Sequence, residues 1–256
     1  MTSEAIGREQ LENSTSKVVY VGKDLEAMAF AANYHRWILD EFRPFVGKHI
    51  VEVGAGTGLF SSLLLRENPT SLSLVEPSEM HSQLVQNITS ETISVKTYNN
   101  VFSDVCDDIV ARQRPDTIIY INVLEHIEDD RKELRHIYES LVPGGHALIF
   151  VPALPILYGA FDAAVGHFRR YVKKELIEKS LEPGFKIRVQ KFFDFAGIFP
   201  WFVKYRIFGS ADLESSVVKL YDTYAVPLVK LSESLISPPI GKNLLFVLEK
   251  PSEAAN

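Results

Sequence analysis

The sequence predicts an α/β protein built on a doubly wound, mostly parallel sheet, and three observations predict it. Short β-branched runs alternate with helical apolar spacing through residues 50–151, the pattern of strand–helix–strand units. One run, Thr117-Ile118-Ile119-Tyr120-Ile121, is apolar enough for a central parallel strand covered on both faces. The first strand runs into Gly54-Ala55-Gly56-Thr57-Gly58, where glycine lets a ligand lie against the backbone. The helix that follows aims unpaired N–H groups at the same spot.

Taken in order, residues 24–46 read as a helix carrying Phe30, Tyr34, Trp37, Ile38 and Phe42, stopped near Pro44. Strands are expected at 50–53, 71–75, 93–97, 116–121 and 146–151. Helices are expected between them at 59–66, 78–87, 104–111 and 128–141, with Ser78 as an N-cap. Pro143-Gly144-Gly145 stops the last of these. Beyond residue 151 the pattern loosens to a long loop at 152–172, a helix at 173–181 and a strand at 185–193. An aromatic, helical insertion at 195–238 precedes a last strand at 244–249. The strands total seven.

The chain of 256 residues suits one domain over 17–256, with a flexible N-terminus at 1–16 that has no signal-peptide pattern. The net charge is −6, and no basic run points to nucleic acid. Cys106 is the only cysteine, which leaves no disulfide framework or cysteine metal cluster and suits a reducing, cytoplasmic compartment. Cys106 reads as packed rather than nucleophilic. No apolar run is long enough to span a bilayer. Asp107-Asp108 and Asp129-Asp130 read as helix caps or diverging neighbours, so no metal site is expected.

Ligands of such sheets sit beyond the C-terminal strand ends. The glycine loop does not have the dinucleotide spacing G-x-G-x-x-G, because Leu59 stands at the third glycine. Glu76 closes the second strand in Leu74-Val75-Glu76-Pro77, where a carboxylate accepts both ribose hydroxyls of a nucleoside. Its other reading is a helix-capping acid, with Pro77 opening the next helix.

Glu52-Val53-Gly54-Ala55-Gly56-Thr57-Gly58 resembles motif I of class I S-adenosylmethionine-dependent methyltransferases, and Glu76 their ribose-binding acid. Asp116–Asp129, containing Asn122-Val123-Leu124-Glu125-His126, resembles their fourth-strand motif, and Leu141-Val142-Pro143-Gly144-Gly145 the turn before their fifth strand. A bacterial small-molecule subset also carries a segment like Gly166-His167-Phe168-Arg169-Arg170-Tyr171, preceded by Tyr158 and Asp162. The resemblance implies a Rossmann-like seven-stranded sheet, mostly parallel with an antiparallel C-terminal strand. It implies S-adenosyl-L-methionine as cofactor and S-adenosyl-L-homocysteine as product. Gly54, Ala55, Gly56 and Gly58 would then lie beside the methionyl part and ribose. Glu52 would orient the cofactor's amino group, and Glu76 and Pro77 would flank the ribose. Asn100, Val101 and Phe102 would fall near adenine, and the Asn122 and Val123 carbonyls near the ammonium. Tyr34 either covers the cofactor carboxylate or packs in the core.

The implied reaction is methyl transfer by in-line displacement at a sulfonium, with oxygen the favoured acceptor atom and nitrogen or carbon the alternatives. His126 and His167 are the candidate bases. His126 sits before a helix N-terminus, which disfavours imidazolium, and its other reading is ordering of the loop. Tyr158, Asp162, His167, Arg169, Arg170 and Tyr171 are the candidate acceptor-binding residues. The arginines either bind an anionic acceptor or pair with Asp162 or Glu175 and fix the loop. The 195–238 segment is a cover for one sheet edge, a lid over the acceptor, or, through 195–208, a membrane or homodimer face. A nicotinamide oxidoreductase on a related sheet and a non-catalytic cofactor-binding scaffold are the competing functions.

Overall fold

A computed structural model describes residues 31–252. The expected flexible N-terminus, and residues 24–30 of the expected first helix, lie outside the described residues.

Seven strands form one sheet: β1 (His49–Val53), β2 (Ser71–Val75), β3 (Ser94–Tyr98), β4 (Thr117–Ile121), β5 (His146–Pro152), β6 (Lys186–Phe193) and β7 (Asn243–Glu249). Their order is β3-β2-β1-β4-β5-β7-β6. β1 pairs with β2 and β4 in parallel, and β7 runs antiparallel to both β5 and β6. The strand order reverses between β1 and β4. The crevice beyond their C-terminal ends is the place where such sheets bind ligands.

Alternation along each strand sends side chains to two cores. On one face Ile50, Leu72, Ile119, Leu148, Phe150 and Val247 pack with Trp37, Ile38 and Phe42 of the helix Ala32–Phe42. On the other, Val51, Val75, Ile118, Tyr120, Ile149 and Phe246 pack with Ile109, Leu134, Ile137 and Leu176. The central strands are buried on both faces, which is why they read as apolar runs rather than alternating ones.

Several boundaries move. The second interstrand helix begins at His81, not Ser78. Ser78 donates its N–H to Glu76 and accepts the Met80 N–H at 3.3 Å, so it shapes a turn instead of capping the helix. The helix expected at 104–111 runs Phe102–Gln113, and the long loop contains the short helices Pro155–Leu157 and Ala160–Ala164.

The 195–238 segment is helical in pieces. Ser215–Leu220, Tyr221–Ala225 and Val226–Leu235 run on continuously, with a wide turn at Tyr221–Ala225. Their inner face lays Val226 and Val229 on the first core, while Val217, Leu220, Tyr224, Leu228, Leu231 and Leu235 face outward. No helix among the described residues is long and apolar enough to cross a membrane.

This segment also starts the first helix. Ala31 has no side chain able to cap it. Buried Asp222 accepts the N–H groups of Asn33 (3.0 Å) and Tyr34 (2.8 Å), an N-cap supplied from 188 residues away. Asp222→Ala should therefore lower the unfolding free energy by about 1–3 kcal/mol, the cost of orphaned buried donors. Urea denaturation reads this directly, and an unchanged midpoint would show that the cap contributes nothing.

Candidate active site

The glycine loop leaves β1 with φ of +73° at Gly54 and +91° at Gly58, values that L side chains rarely adopt. Space imposes the same choice. A Cβ on Gly54 would stand 2.3 Å from Val123 Cγ2, and one on Gly58 2.6 Å from Ile88 Cγ1. The loop thus packs against the segment after β4, bringing Gly54 and Val123 together.

Glu76, at the end of β2 and 4% exposed, ties this loop down. Its carboxylate accepts the Gly56 N–H at 2.8 Å and the Ser78 N–H at 2.9 Å. A carboxylate has about four lone-pair directions, so two remain for a ligand. Asn99, which sequence reasoning passed over, donates its side-chain amide to the Glu76 and Ser78 carbonyls. Pro77 is half-buried between them.

Glu52 is buried at the end of β1 and accepts the Ser61 hydroxyl at 2.5 Å. Burial pushes its carboxyl up to about 8; the charge of Glu76 acts in the same direction and Ser61 opposes it. Asn122 has a positive φ of +52° and donates its N–H to the Phe150 carbonyl at 2.8 Å, a strained turn at the switch point. Val101 is exposed and Asn100 half-buried, whereas Phe102 is buried in the second core, edge-on to Tyr120. Tyr34 is also in the core. Its ring meets Trp37, Phe150 and Phe193 edge-on, and its hydroxyl donates to Asn243 Oδ1 at 3.1 Å.

A second cluster joins the turn after β4 to the loop after β5. Leu124–His126 forms one helical turn. The His126 ring lies 4.6 Å from the His167 ring, nearly perpendicular to it. His167 Nδ1 meets Asp162 Oδ1 at 2.8 Å, and its Nε2 stands 3.8 Å from Glu125 Oε1. Glu125 is fully buried, and neither carboxylate oxygen has a hydrogen-bond partner. Burial pushes Glu125 up to about 7 and His126 down to about 4, the latter also repelled by His167. The shift of His126 favours the neutral imidazole, and burial is its main cause.

Asp162, Arg170 and Tyr171 are buried, at 0, 4 and 1% exposed. Arg170 Nε donates to Asp162 at 2.8 Å, and its guanidinium sits 4.7 Å from the centre of the Trp201 ring. Arg169 pairs with Asp130 at 2.7 Å and donates to the Glu128 carbonyl, so its partner is neither Asp162 nor Glu175. Tyr171 reaches the same Asp130 at 2.9 Å, and Tyr158 donates its hydroxyl to the His167 carbonyl at 2.7 Å. Both arginine charges are matched within the chain, which is the loop-fixing arrangement.

Residues 27–186 match the family described as "Methyltransferase domain". The chain belongs to that family. No curated protein matches the sequence. Among solved structures, a SAM-dependent methyltransferase from Archaeoglobus fulgidus superposes with a TM-score of 0.54 at 14% identity, over 89% of this chain and 99% of that one. An S-adenosylmethionine-dependent methyltransferase from Mesorhizobium loti gives 0.53 at 15% identity, over 83% and 97%. The N-methyltransferase NodS from Bradyrhizobium japonicum WM9, in complex with S-adenosyl-L-homocysteine, gives 0.53 at 13% identity, over 87% and 88%. At these identities the likeness is one of fold. Family membership sets the nicotinamide reading aside, and S-adenosylmethionine is the methyltransferase's cofactor.

The pH dependence of stability reports on Glu52. Its folded value, about 8, lies above its ordinary 4.5. Its contribution to stability is therefore complete below 4.5 and lost as pH rises through 8. Glu52→Gln should flatten this part of the decline in unfolding free energy. Denaturant titrations across that range would show parallel slopes in both proteins if Glu52 ionised freely.

Proposed function

We propose that this methyltransferase transfers a methyl group to a hydroxyl of a small-molecule acceptor activated at His126 and His167. The observation that carries this reading is the orientation of His167 by a buried carboxylate at the ligand-binding end of the sheet. Asp162 also takes donors from Arg170 and Gly159, so it is an acceptor and His167 keeps its proton on Nδ1. The basic Nε2 is then the nitrogen presented toward His126 and Glu125. Arg169 and Arg170 have their charges matched inside the chain, which favours a neutral acceptor group over an anionic one.

The cradle fits the cofactor. Gly54 and Gly58 let the loop pack tightly against Val123 and Ile88, so that Gly54, Ala55, Gly56 and Gly58 would line the cofactor with backbone, and Glu76 keeps lone pairs for the ribose hydroxyls, with Pro77 beside it. Glu52 and the backbone carbonyls of Asn122 and Val123 would hold the cofactor's amino group. Asn100 and Val101 would flank the adenine. When bound, S-adenosylmethionine supplies a methyl group on a sulfonium, and the chain's task is to place the acceptor in line with it and exclude water.

Glu76→Ala should weaken binding of S-adenosylhomocysteine by about 1–3 kcal/mol, the scale of lost hydrogen bonds to a charged group. Calorimetry measures this, and unchanged affinity would place the ribose elsewhere. His167→Ala should lower turnover while leaving that affinity close to wild type. A collapse of cofactor affinity would instead put the 152–172 loop in the cofactor site.

A further inference from the structure

We infer that Glu125, His126 and His167 bind a divalent first-row transition cation, and that this cation holds the acceptor oxygen. One ligand atom from each of the three lies within 4.8 Å of the other two. The contacts of Asp162 decide what His167 presents. Three donors converge on that carboxylate, from His167 Nδ1, Arg170 Nε and the Gly159 N–H. Nδ1 is therefore the protonated nitrogen, and Nε2 carries a lone pair. That lone pair stands 3.8 Å from Glu125 Oε1, a carboxylate oxygen that is fully buried and takes no hydrogen bond.

Two acceptors thus face each other across a gap. The gap is too long for a shared proton, since hydrogen bonds of this kind span about 2.7–3.2 Å. It suits a cation, because two metal–ligand bonds of about 2.1 Å meet across it. His126 supplies the third ligand atom of the group.

The surroundings are those of a metal site. A ligating histidine characteristically donates its other N–H to a carboxylate that fixes its tautomer and orientation, which is what Asp162 does for His167. Arg170 neutralises Asp162 and holds it in place, so Glu125 is the anionic ligand. Two imidazoles and one carboxylate suit Zn²⁺, Fe²⁺, Co²⁺ or Mn²⁺ with coordination positions left open, rather than an all-oxygen cation. Glu125 is buried, but His126 and His167 are half-buried, so the open positions face outward.

The role given to the cation rests on the methyl-transfer reading; its binding does not. An acceptor hydroxyl that coordinates the cation loses its proton to solvent as the oxygen–metal bond forms. The oxygen–carbon bond then forms as the carbon–sulfur bond breaks, and the electron pair stays on sulfur. His167 Nε2 is in that case a ligand, and the cation takes over the lowering of the acceptor's pKa.

The test uses the full chain, stripped with chelator and titrated with Co²⁺. We expect one Co²⁺ per chain with visible absorption bands. Glu125→Gln and His167→Gln should each bind it 10- to 100-fold more weakly, while His49→Gln binds as wild type. Thermal stability adds a reading of opposite sign. Metal-free Glu125→Gln should melt above metal-free wild type, because an orphaned buried carboxylate is removed. Co²⁺ should raise the melting temperature of wild type and not of the variant. The absence of stoichiometric Co²⁺ binding, or equal binding by wild type and both variants, overturns the proposal. Full Co²⁺ binding without S-adenosylhomocysteine binding supports the cation site and overturns only the methyl-transfer role.

Discussion

The cofactor half of the protein depends on one carboxylate. Glu76 joins the end of β2 to the glycine loop of β1 by accepting backbone N–H groups from Gly56 and Ser78. The loop turns back on itself at positive φ and carries few side chains of its own, so a charged acceptor at its centre keeps it shaped before a ligand arrives. Val123 closes the loop from the other side, against the bare Cα of Gly54. Glu52 lies buried beside the same loop, held by Ser61. Such preorganisation lowers the ordering cost of binding.

The loop after β5 has a different logic. Its charged residues are buried and engaged in a chain of contacts: Trp201 under Arg170, Arg170 on Asp162, Asp162 on His167. Asp130 does the same for Arg169, Tyr171 and Lys179. These networks fix the loop, and they leave both Glu125 carboxylate oxygens buried without a hydrogen-bond partner. Unsatisfied buried carboxylates are expensive, which is why Glu125 points to a ligand rather than to stability.

Much of this was legible in the chain itself. The alternation of strands and helices, the seven strands, the glycine spacing and the acid after β2 are local patterns, and local patterns survive being read one residue at a time. The helix starts were less legible. Ser78 has the chemistry of a cap but is drawn into a turn by Glu76, and Ala31 has none, yet its helix is capped by Asp222. Tyr34 and Phe102 sat in the right segments, but their rings turn into the core, because a strand or helix end admits both directions and packing selects one.

The sequence by itself determined the sheet and the glycine turn, because each is written in residues a few positions apart whose spacing matches a backbone geometry, while the methyl donor came from the resemblance of its motifs to a known family. Only the tertiary structure decided the second cluster. Glu125 and His167 are 42 positions apart, and Asp222 and Tyr34 are 188 apart. Long-range proximity is set by how the elements pack, not by any local period. A chain whose spacing announces no metal site can still bring Glu125, His126 and His167 together when it folds.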